Sequence, residues 1–418
     1  MTFNVLPLKR ILVRNDGGVW GDDPSGHDDT VVLRSTDQTA DGEWTSSDPA
    51  LRSLSPVERV KARLRAGDLL VTKSSGSALH IGKTTIVTVE IATTNPAYSN
   101  FMQRLRVRGD QWPNFYWYCF RSAVVREQLN LVSTTTTGLA NLTASTLGDL
   151  EVPVPKLDEQ RKIADYLDIH TAEIDTLIAK QERLIETLAE RRQAVISQAV
   201  TKGLDPNVSM KGSGTAWLGD VPTMWAVQRL KNGFDLMKRP VLAADGNVTA
   251  FRDGQVTLRS NRRIDGFTEA DKEIGYQGIE PKDLVIHAMD AFAGAIGVSD
   301  SRGKSTPAYS VCRARAGYDP LYYALTLRHI ALSGYIASLG KGVRERSTDF
   351  RWNDAKNVLV PVPSLSEQLA ITVHLDRETT QIGALAAKAR EMIGVLKERR
   401  QSLISAAVTG KIDMRGMS

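Results

Sequence analysis

The sequence predicts an α+β protein with an internal pseudo-two-fold repeat: two mixed α/β domains separated by two long antiparallel helices that form a coiled coil. The first observation behind this prediction is that residues 152–205 recur as residues 360–413 without a gap, with half of the paired positions identical. The second is that the stretches preceding these two segments share short motifs in the same order. Self-similarity of this length defines the architecture before any single motif is interpreted.

Each copy of the long repeat is predicted to be one helix entered through an extended segment. Val-Pro-Val-Pro opens both copies, at 152 and 360, and proline disfavours helical geometry in the residue before it. Glu-Gln follows and suits the first turn of a helix. Apolar residues then recur at alternating four- and three-residue steps over about five heptads, which is typical of a coiled coil. Two matching helices in one chain favour pairing with each other.

The remaining sequence divides around these helices. Residues 1–151 form the first mixed domain, 152–205 the first helix region, 206–359 a linker with the second mixed domain, and 360–418 the second helix region with the C-terminal tail. Short apolar runs between Gly, Ser and Asp predict strands and turns in both mixed domains. Pro-Ala-Tyr-Ser occurs at 96 and 307, Gly-Asp-Leu-Leu-Val at 67 matches Lys-Asp-Leu-Val-Ile at 282, and Ile-Gly at 81 aligns with Ile-Gly at 296. The two domains are therefore predicted to share a scaffold.

The motifs argue against an enzyme. Gly82-Lys83-Thr84 resembles the end of a phosphate-binding loop, but five residues separate Gly76 from Gly82 where that motif has four, and a strand pattern follows. Asn-Pro-Ala-Tyr at 95 resembles a methyltransferase tetrapeptide, yet no glycine-rich cofactor loop precedes it. The histidines and cysteines lack metal-ligand spacing. We expect no catalytic residue, no cofactor and no metal in this chain.

Composition bounds the partners and the compartment. The net charge of +5 permits a polyanionic partner. Cys119 and Cys312 lie far apart, which argues against a disulfide framework and favours the reducing cytoplasm. No apolar run approaches the roughly 20 residues that a membrane helix needs, so no membrane partner is expected.

Basic and polar residues cluster in both mixed domains and predict binding of double-stranded DNA. Arg104 and Arg106 alternate along a predicted strand, which places them on one face. Hydroxyls beside glycine suit phosphates, and Arg and Asn read guanine and adenine edges. Solvated surface charge is the alternative for any one of these residues. The candidate DNA-binding residues are Lys73, Ser75, Lys83, Arg104, Arg106, Thr136, Arg259, Asn261, Arg262, Lys304, Lys341, Arg344 and Arg346.

Taken together, the chain resembles the specificity subunits of type I restriction–modification systems. The resemblance rests on Val-Pro-Val-Pro-x-Leu-x-Glu-Gln at the start of both long helices, on Trp-Leu-Gly-Asp-Val-Pro at 217 with Trp225 before the second domain, and on the matched apolar strands. It covers essentially the whole chain. The tryptophan-containing lead-in precedes only the second domain, so its contacts are expected to be asymmetric.

The resemblance implies two target-recognition domains, each reading half of a split DNA sequence, with the paired helices as spacer. It also implies that methylation subunits, two in number, dock on the helices and carry S-adenosylmethionine, with a restriction subunit as a further partner. A non-catalytic coiled-coil scaffold without DNA specificity is the competing interpretation. The candidate partner-binding residues are Leu157, Glu159, Gln160, Ile163, Leu167, Leu365, Glu367, Gln368, Ile371 and Leu375.

Overall fold

The chain folds into two compact units, and each unit takes half of each long helix. Unit 1 comprises residues 1–182 and 390–418, and unit 2 comprises residues 183–389. The computed structural model describes residues 3–39, 41–45, 48–75, 80–133, 140–262, 273–339 and 350–412. Among these residues, no helix has the length and apolar content needed to cross a membrane.

Unit 1 combines short strands with helices. Its strands are β1 (Val5–Pro7), β2 (Leu12–Gly17), β3 (Thr30–Leu33), β4 (Ala50–Arg52), β5 (Leu69–Thr72), β6 (Ser74–Ser75), β7 (Thr84–Ile86), β8 (Ala97–Tyr98), β9 (Met102–Val107), β10 (Ala140–Asn141) and β11 (Glu151–Pro153). Its helices are α1 (Pro56–Ala62), α2 (Val89–Thr93), α3 (Pro113–Arg121), α4 (Ala123–Ser133), α5 (Ala144–Gly148) and the first half of α6 (Leu157–Lys202).

Unit 2 repeats this plan. Its strands are β12 (Met210–Gly212), β13 (Asp220–Pro222), β14 (Ala226–Arg229), β15 (Phe234–Leu236), β16 (Val248–Ala250), β17 (Val256–Leu258), β18 (Gln277–Ile279), β19 (Leu284–His287), β20 (Ile296–Val298), β21 (Gly303–Ser305), β22 (Tyr309–Ala314) and β23 (Leu359–Val362). Its helices are α7 (Pro320–Leu332), α8 (Tyr335–Leu339), α9 (Trp352–Ala355) and the first half of α10 (Leu365–Val408).

Equivalent four-stranded sheets organise the two units. The strand order is β2-β9-β5-β7 in unit 1 and β15-β22-β19-β20 in unit 2. Leu69 pairs with Leu105 and Ile86, while Leu284 pairs with Cys312 and Val298, all antiparallel. The register thus aligns residue 84 with residue 296. This corrects the sequence alignment of the two Ile-Gly pairs, because Gly82 corresponds to Gly294, and both glycines adopt positive φ.

Aromatic helices fill the two main cores. Helix α3 buries Phe115, Tyr116, Trp117, Tyr118 and Phe120 against the sheet of unit 1 and the start of α6. Helix α7 occupies the same place in unit 2 and starts, like α3, with proline in its first turn. Proline fits there because its missing N–H would have no helical partner.

The long helices pair antiparallel, as the sequence predicts. In unit 1, Ile174 and Ile178 of α6 lie in one apolar cluster with Leu396 of α10. In unit 2, Val200 near the end of α6 lies in one core with Ile371 near the start of α10. The first part of each helix therefore packs with the last part of the other. The predicted fold class is confirmed.

The apolar positions that recur at four- and three-residue steps along the two helices, the predicted seam of the coiled coil, are only partly buried. Positions such as Ile174, Ile382 and Leu396 are buried, whereas four apolar residues of the predicted seam stay between 42% and 51% exposed. A two-helix pair covers only a narrow stripe on each helix, so apolar residues beside that stripe face outward. The four exposed seam residues are Leu177, Leu184, Leu385 and Met392.

Candidate nucleic-acid interface

A buried carboxylate anchors arginine in each sheet. Asp68, which is 1% exposed, accepts hydrogen bonds from Arg106 Nε (2.6 Å) and Nη2 (2.7 Å). Its counterpart Asp283 is 0% exposed and accepts from Arg313 Nε (2.8 Å) and Arg239 Nη1 (2.6 Å). A buried carboxylate needs such partners because desolvation of an unpaired charge is costly. The geometry gives Arg106 a structural role, and the matched Asp in the two strand motifs was the available sequence signal.

Two further predicted cations are held inside unit 1. Arg104 is 3% exposed and donates to Asp16 through Nε (2.9 Å) and Nη2 (2.5 Å). Lys83 is buried and donates from Nζ to the carbonyls of Ser35 (3.2 Å) and Gln38 (2.9 Å). Burial lowers the pKa of Lys83. These contacts correct the expectation that Arg104, Arg106 and Lys83 present an exposed basic face.

The predicted residues of unit 2 lie nearer to solvent. Arg262 is exposed, donates to Asp253 (2.7 Å) and lies over the ring of Phe251. Asn261 is also exposed, and its amide donates to Thr257. The remaining two residues are half-buried: Arg259 donates to Thr249 Oγ1 (3.3 Å), and Lys304 forms an ion pair with Glu273.

Strand pairing brings two polar segments of unit 1 together. Strand β6, which holds Ser75, pairs with β10, so the residues just before 76–79 lie next to the residues just after 134–139. Half-buried Lys73 precedes β6, and its carbonyl accepts from Leu142 N (2.8 Å). Thr136, Lys341, Arg344 and Arg346 lie outside the described residues.

The helix-entry motif has a structural role in both copies. Gln160 is fully buried, and its Oε1 accepts from the backbone N–H of Trp112, next to α3 (2.7 Å). Gln368 is equally buried and accepts from the N–H of Asp319, next to α7 (2.8 Å). In both copies Nε2 donates to a proline carbonyl before the helix (2.9 Å). Each glutamine thus joins three chain segments, because a side-chain amide can accept and donate together.

Six of the ten predicted partner-binding residues are therefore not on a free surface. Their side chains pack in the cores or satisfy buried backbone groups, which corrects the expectation of an open face at the helix entries. The six are Gln160, Ile163, Leu167, Gln368, Ile371 and Leu375. The other four are half-buried or exposed: Leu157, Glu159, Leu365 and Glu367.

The tryptophan lead-in produces the expected asymmetry between the units. Trp225 is buried, and its Nε1 donates to Glu367 Oε2 (2.9 Å). The equivalent acid of the first helix, Glu159, accepts instead from the backbone N–H of Lys156 (3.1 Å). Phe3 occupies the position equivalent to Trp225, since it lies two residues before Val5 as Trp225 lies two before Val227. Phe3 is partly buried and packs on the core of unit 1.

Side chains suited to metal binding are not brought together in the part of the chain that the structure describes. No cluster of three or more His, Cys, Asp or Glu side chains with metal-binding geometry occurs among those residues. Cys119 and Cys312 are buried free thiols, and burial raises the pKa of both.

Comparison with known proteins finds similarity to type I restriction enzyme specificity subunits. The family described as type I restriction modification DNA specificity domain matches residues 48–187. The specificity subunit of the EcoBI type I restriction enzyme from Escherichia coli is 24% identical over 330 residues, covering 74% of this chain and 68% of that protein. The putative MjaX specificity subunit from Methanocaldococcus jannaschii is 23% identical, covering 85% and 80% respectively.

Solved structures share the fold. A structure described under complex assembly and conformational transition of the type I R-M system superposes with a TM-score of 0.73 at 17% identity, covering 98% of both chains. The HsdS subunit from Thermoanaerobacter tengcongensis superposes with a TM-score of 0.55 at 17% identity, covering 98% of this chain and 97% of that one. With its duplicated helix entries, paired helices and repeated sheets, the chain is similar in sequence and in fold to the specificity subunits of type I restriction–modification systems.

Proposed function

We propose that each unit reads one half of a split DNA target through one of two equivalent segments, residues 134–139 in unit 1 and residues 340–349 in unit 2. The observation that carries this proposal is that, in both units, the chain following one of these segments forms a backbone hydrogen bond at the same position of the repeat. Leu142 N donates to the carbonyl of Lys73 (2.8 Å), and Phe350 N donates to that of Ala288 (3.1 Å). Lys73 and Ala288 each follow the equivalent strands β5 and β19 by one residue. The segments 134–139 and 340–349 therefore precede the same position of the repeat in the two units.

These two segments have different sequences, as two different half-sites require. Residues 134–138 read Thr-Thr-Thr-Thr-Gly, and residues 341–346 read Lys-Gly-Val-Arg-Glu-Arg. Hydroxyls and backbone amides suit phosphates, while arginine can form paired hydrogen bonds with guanine. A shared scaffold with different sequences at one position suits recognition of two unlike half-sites.

Methylation subunits are proposed to dock on the exposed apolar residues of the long helices. Leu177 and Leu184 of α6 correspond by repeat to Leu385 and Met392 of α10. A duplicated apolar patch suits two identical partners, one per copy, because symmetric sites bind symmetric surfaces. In this proposal, the partners carry S-adenosylmethionine and act on adenine, and the specificity chain supplies only position.

The test is a DNA-binding measurement on the assembled chain and its methylation partner, with methylation mapped by sequencing. Arg344→Ala with Arg346→Ala is expected to relax or abolish recognition of one half-site and leave the other unchanged. Arg183→Ala, which removes an exposed arginine on α6 paired with Glu186, is the matched control and should change neither half-site. An unchanged motif in the double variant would overturn the assignment of this segment.

The competing scaffold function predicts different binding. Recognition through phosphates requires the observed affinity for duplex DNA to fall steeply with salt, because counterions are released on binding. A chain that binds only protein would show weak affinity for duplex DNA with no difference between target and scrambled sequences. That result would favour the scaffold interpretation.

A further inference from the structure

Unit 2 contains a cavity that takes no part in the proposed DNA recognition. Its volume is about 320 Å³, at the small end of the range usual for ligand pockets, roughly 300–1,000 Å³. Helix α7 forms one wall, and segments of α6 and α10 that belong to unit 2 form the others. Arg192, Arg328, Gln193, His329, Leu325 and Ile196 are among the lining residues.

Unit 1 has a cavity of about 400 Å³ beside the equivalent arginines, Arg121 and Arg400. The cavity of unit 2 differs in the part next to α7, where smaller side chains leave space. Counting from the first proline of each helix, Trp117 and Tyr118 of α3 correspond to Ala324 and Leu325 of α7. In unit 1, both aromatic rings are buried, and Tyr118 Oη donates to Asp168 (2.6 Å). Unit 2 has neither ring at the equivalent positions.

A carboxylate is also missing. In unit 1, Arg400 of α10 donates to Asp175 of α6 (2.6 Å) and to Asp41. The 208-residue repeat places Arg192 at the position of Arg400 and Gly383 at that of Asp175. The side chain that should hold this arginine is therefore absent from the second copy.

The second aspartate is already engaged. Asp41 of unit 1 and Asp253 of unit 2 occupy equivalent positions, because each precedes a glycine with positive φ. This glycine lies against Arg121 of α3 in unit 1 and against Arg328 of α7 in unit 2. Asp253, however, accepts from Arg262 (2.7 Å). Within the described residues, neither Arg192 nor Arg328 forms an ion pair.

Two guanidinium groups thus line one cavity without the carboxylate found in unit 1. Burial lowers the pKa of Arg328 and the nearby charge of Arg192 lowers it further, while the carboxylate of Asp253, which also lines the cavity, raises it. Asp376 also lines the cavity and supplies one negative charge. With Asp253 neutralised by Arg262, two positive charges face one negative charge, which leaves a net charge of +1 for a bound anion to neutralise.

We propose that this cavity binds a small aromatic monocarboxylate. The carboxylate would take the place that Asp175 has beside Arg400 in unit 1, between Arg192 and Arg328. The ring would occupy the space that aromatic side chains fill in unit 1, against Leu325 and Ile196. Charge-assisted hydrogen bonds to guanidinium are among the strongest that a carboxylate can form, and the apolar walls favour a ring over formate or phosphate.

The test uses benzoate as the probe and the full chain, by isothermal titration calorimetry and ligand-observed NMR. Benzoate is expected to bind at least tenfold more tightly than benzyl alcohol, which lacks the charge, and than phosphate, which lacks the ring. Gly383→Asp restores a carboxylate beside Arg192 and should weaken benzoate binding at least tenfold. Gly394→Asp is the matched control, since both helical glycines leave open space at the position that a Cβ would take, and it should bind benzoate like the native chain.

A second variant changes the wall of the cavity that α7 forms. Leu325→Tyr restores the aromatic residue of unit 1 and is expected to remove benzoate binding by filling the space. Circular dichroism checks that each variant is folded, and Leu325→Tyr decides the matter if Gly383→Asp fails to fold. The proposal is overturned if the native chain does not bind benzoate, or if neither variant changes the affinity.

Discussion

Buried Arg104 and partly exposed Asp16 form an ion pair across β9 and β2, at the place where unit 2 has an apolar contact. The strand register aligns Arg104 with Val311, since Leu70 pairs with the first and the equivalent Val285 with the second. Met237, whose N–H donates to Val311 O (2.8 Å), takes the position of Asp16. One scaffold thus tolerates either solution at this site, as expected when a buried ion pair adds little net stability over apolar packing.

Exchanging these residues between the units tests this interpretation. Asp16→Met alone should destabilise unit 1 by about 3–5 kcal/mol, because it leaves a buried guanidinium without its carboxylate. Asp16→Met with Arg104→Val should recover most of that loss, although the carbonyls of Lys61 and Arg63 also lose a donor. Chemical denaturation of all three variants gives the coupling energy. Additive losses would show that the two side chains are not coupled in this way.

Removal of a buried sheet carboxylate is expected to be costly. Asp68→Asn removes the charge that holds Arg106 and should lower the free energy of unfolding by about 3–5 kcal/mol. Asp149→Asn is the control, since its ion pair with Lys9 is more than half exposed, and it should lower the free energy of unfolding far less than Asp68→Asn does. Similar losses in urea denaturation would show that burial does not decide the contribution.

Acidification should weaken unit 2 through its histidines. Burial lowers the pKa values of both His329 and His287 below the ordinary value of a histidine. The unfolded chain therefore binds more protons than the folded one below about pH 6.5, so stability falls as pH falls through that region. His329→Gln should reduce this pH dependence between about pH 7 and pH 5 in denaturation curves. An unchanged dependence would exclude His329 as a contributor.

The length of the paired helices is expected to set the spacer between the half-sites. Helix α6 has 46 residues, which corresponds to about 69 Å at ~1.5 Å per residue. Deleting one heptad at the repeat-equivalent positions 177–183 and 385–391 removes about 10 Å from each helix, or about three base pairs. Because the deletion also removes Leu177 and Leu385, two of the residues proposed to dock methylation subunits, the spacing is read from the binding of DNA targets with varied spacers. Binding should require both half-sites with a shorter spacer. The original spacing in the deletion variant would contradict the proposal.

Much of the fold was determined by the sequence itself. The duplicated helix entries predicted the two long helices and their antiparallel pairing, because proline and apolar periodicity act locally. The matched motifs around Asp68 and Asp283 predicted the shared strands for the same reason. The resemblance to type I specificity subunits followed from these patterns together.

The tertiary structure decided what individual side chains do. Alternation placed Arg104 and Arg106 on one strand face, but only the packed sheet reveals the aspartates that hold them, partly exposed Asp16 and buried Asp68. The sequence predicted that the helix-entry glutamines, Gln160 and Gln368, bind a partner. The fold instead places them against the starts of α3 and α7. Burial and ion pairing depend on residues distant in sequence, so periodicity predicts where a helix or strand forms, while long-range packing determines which of its charges remain free.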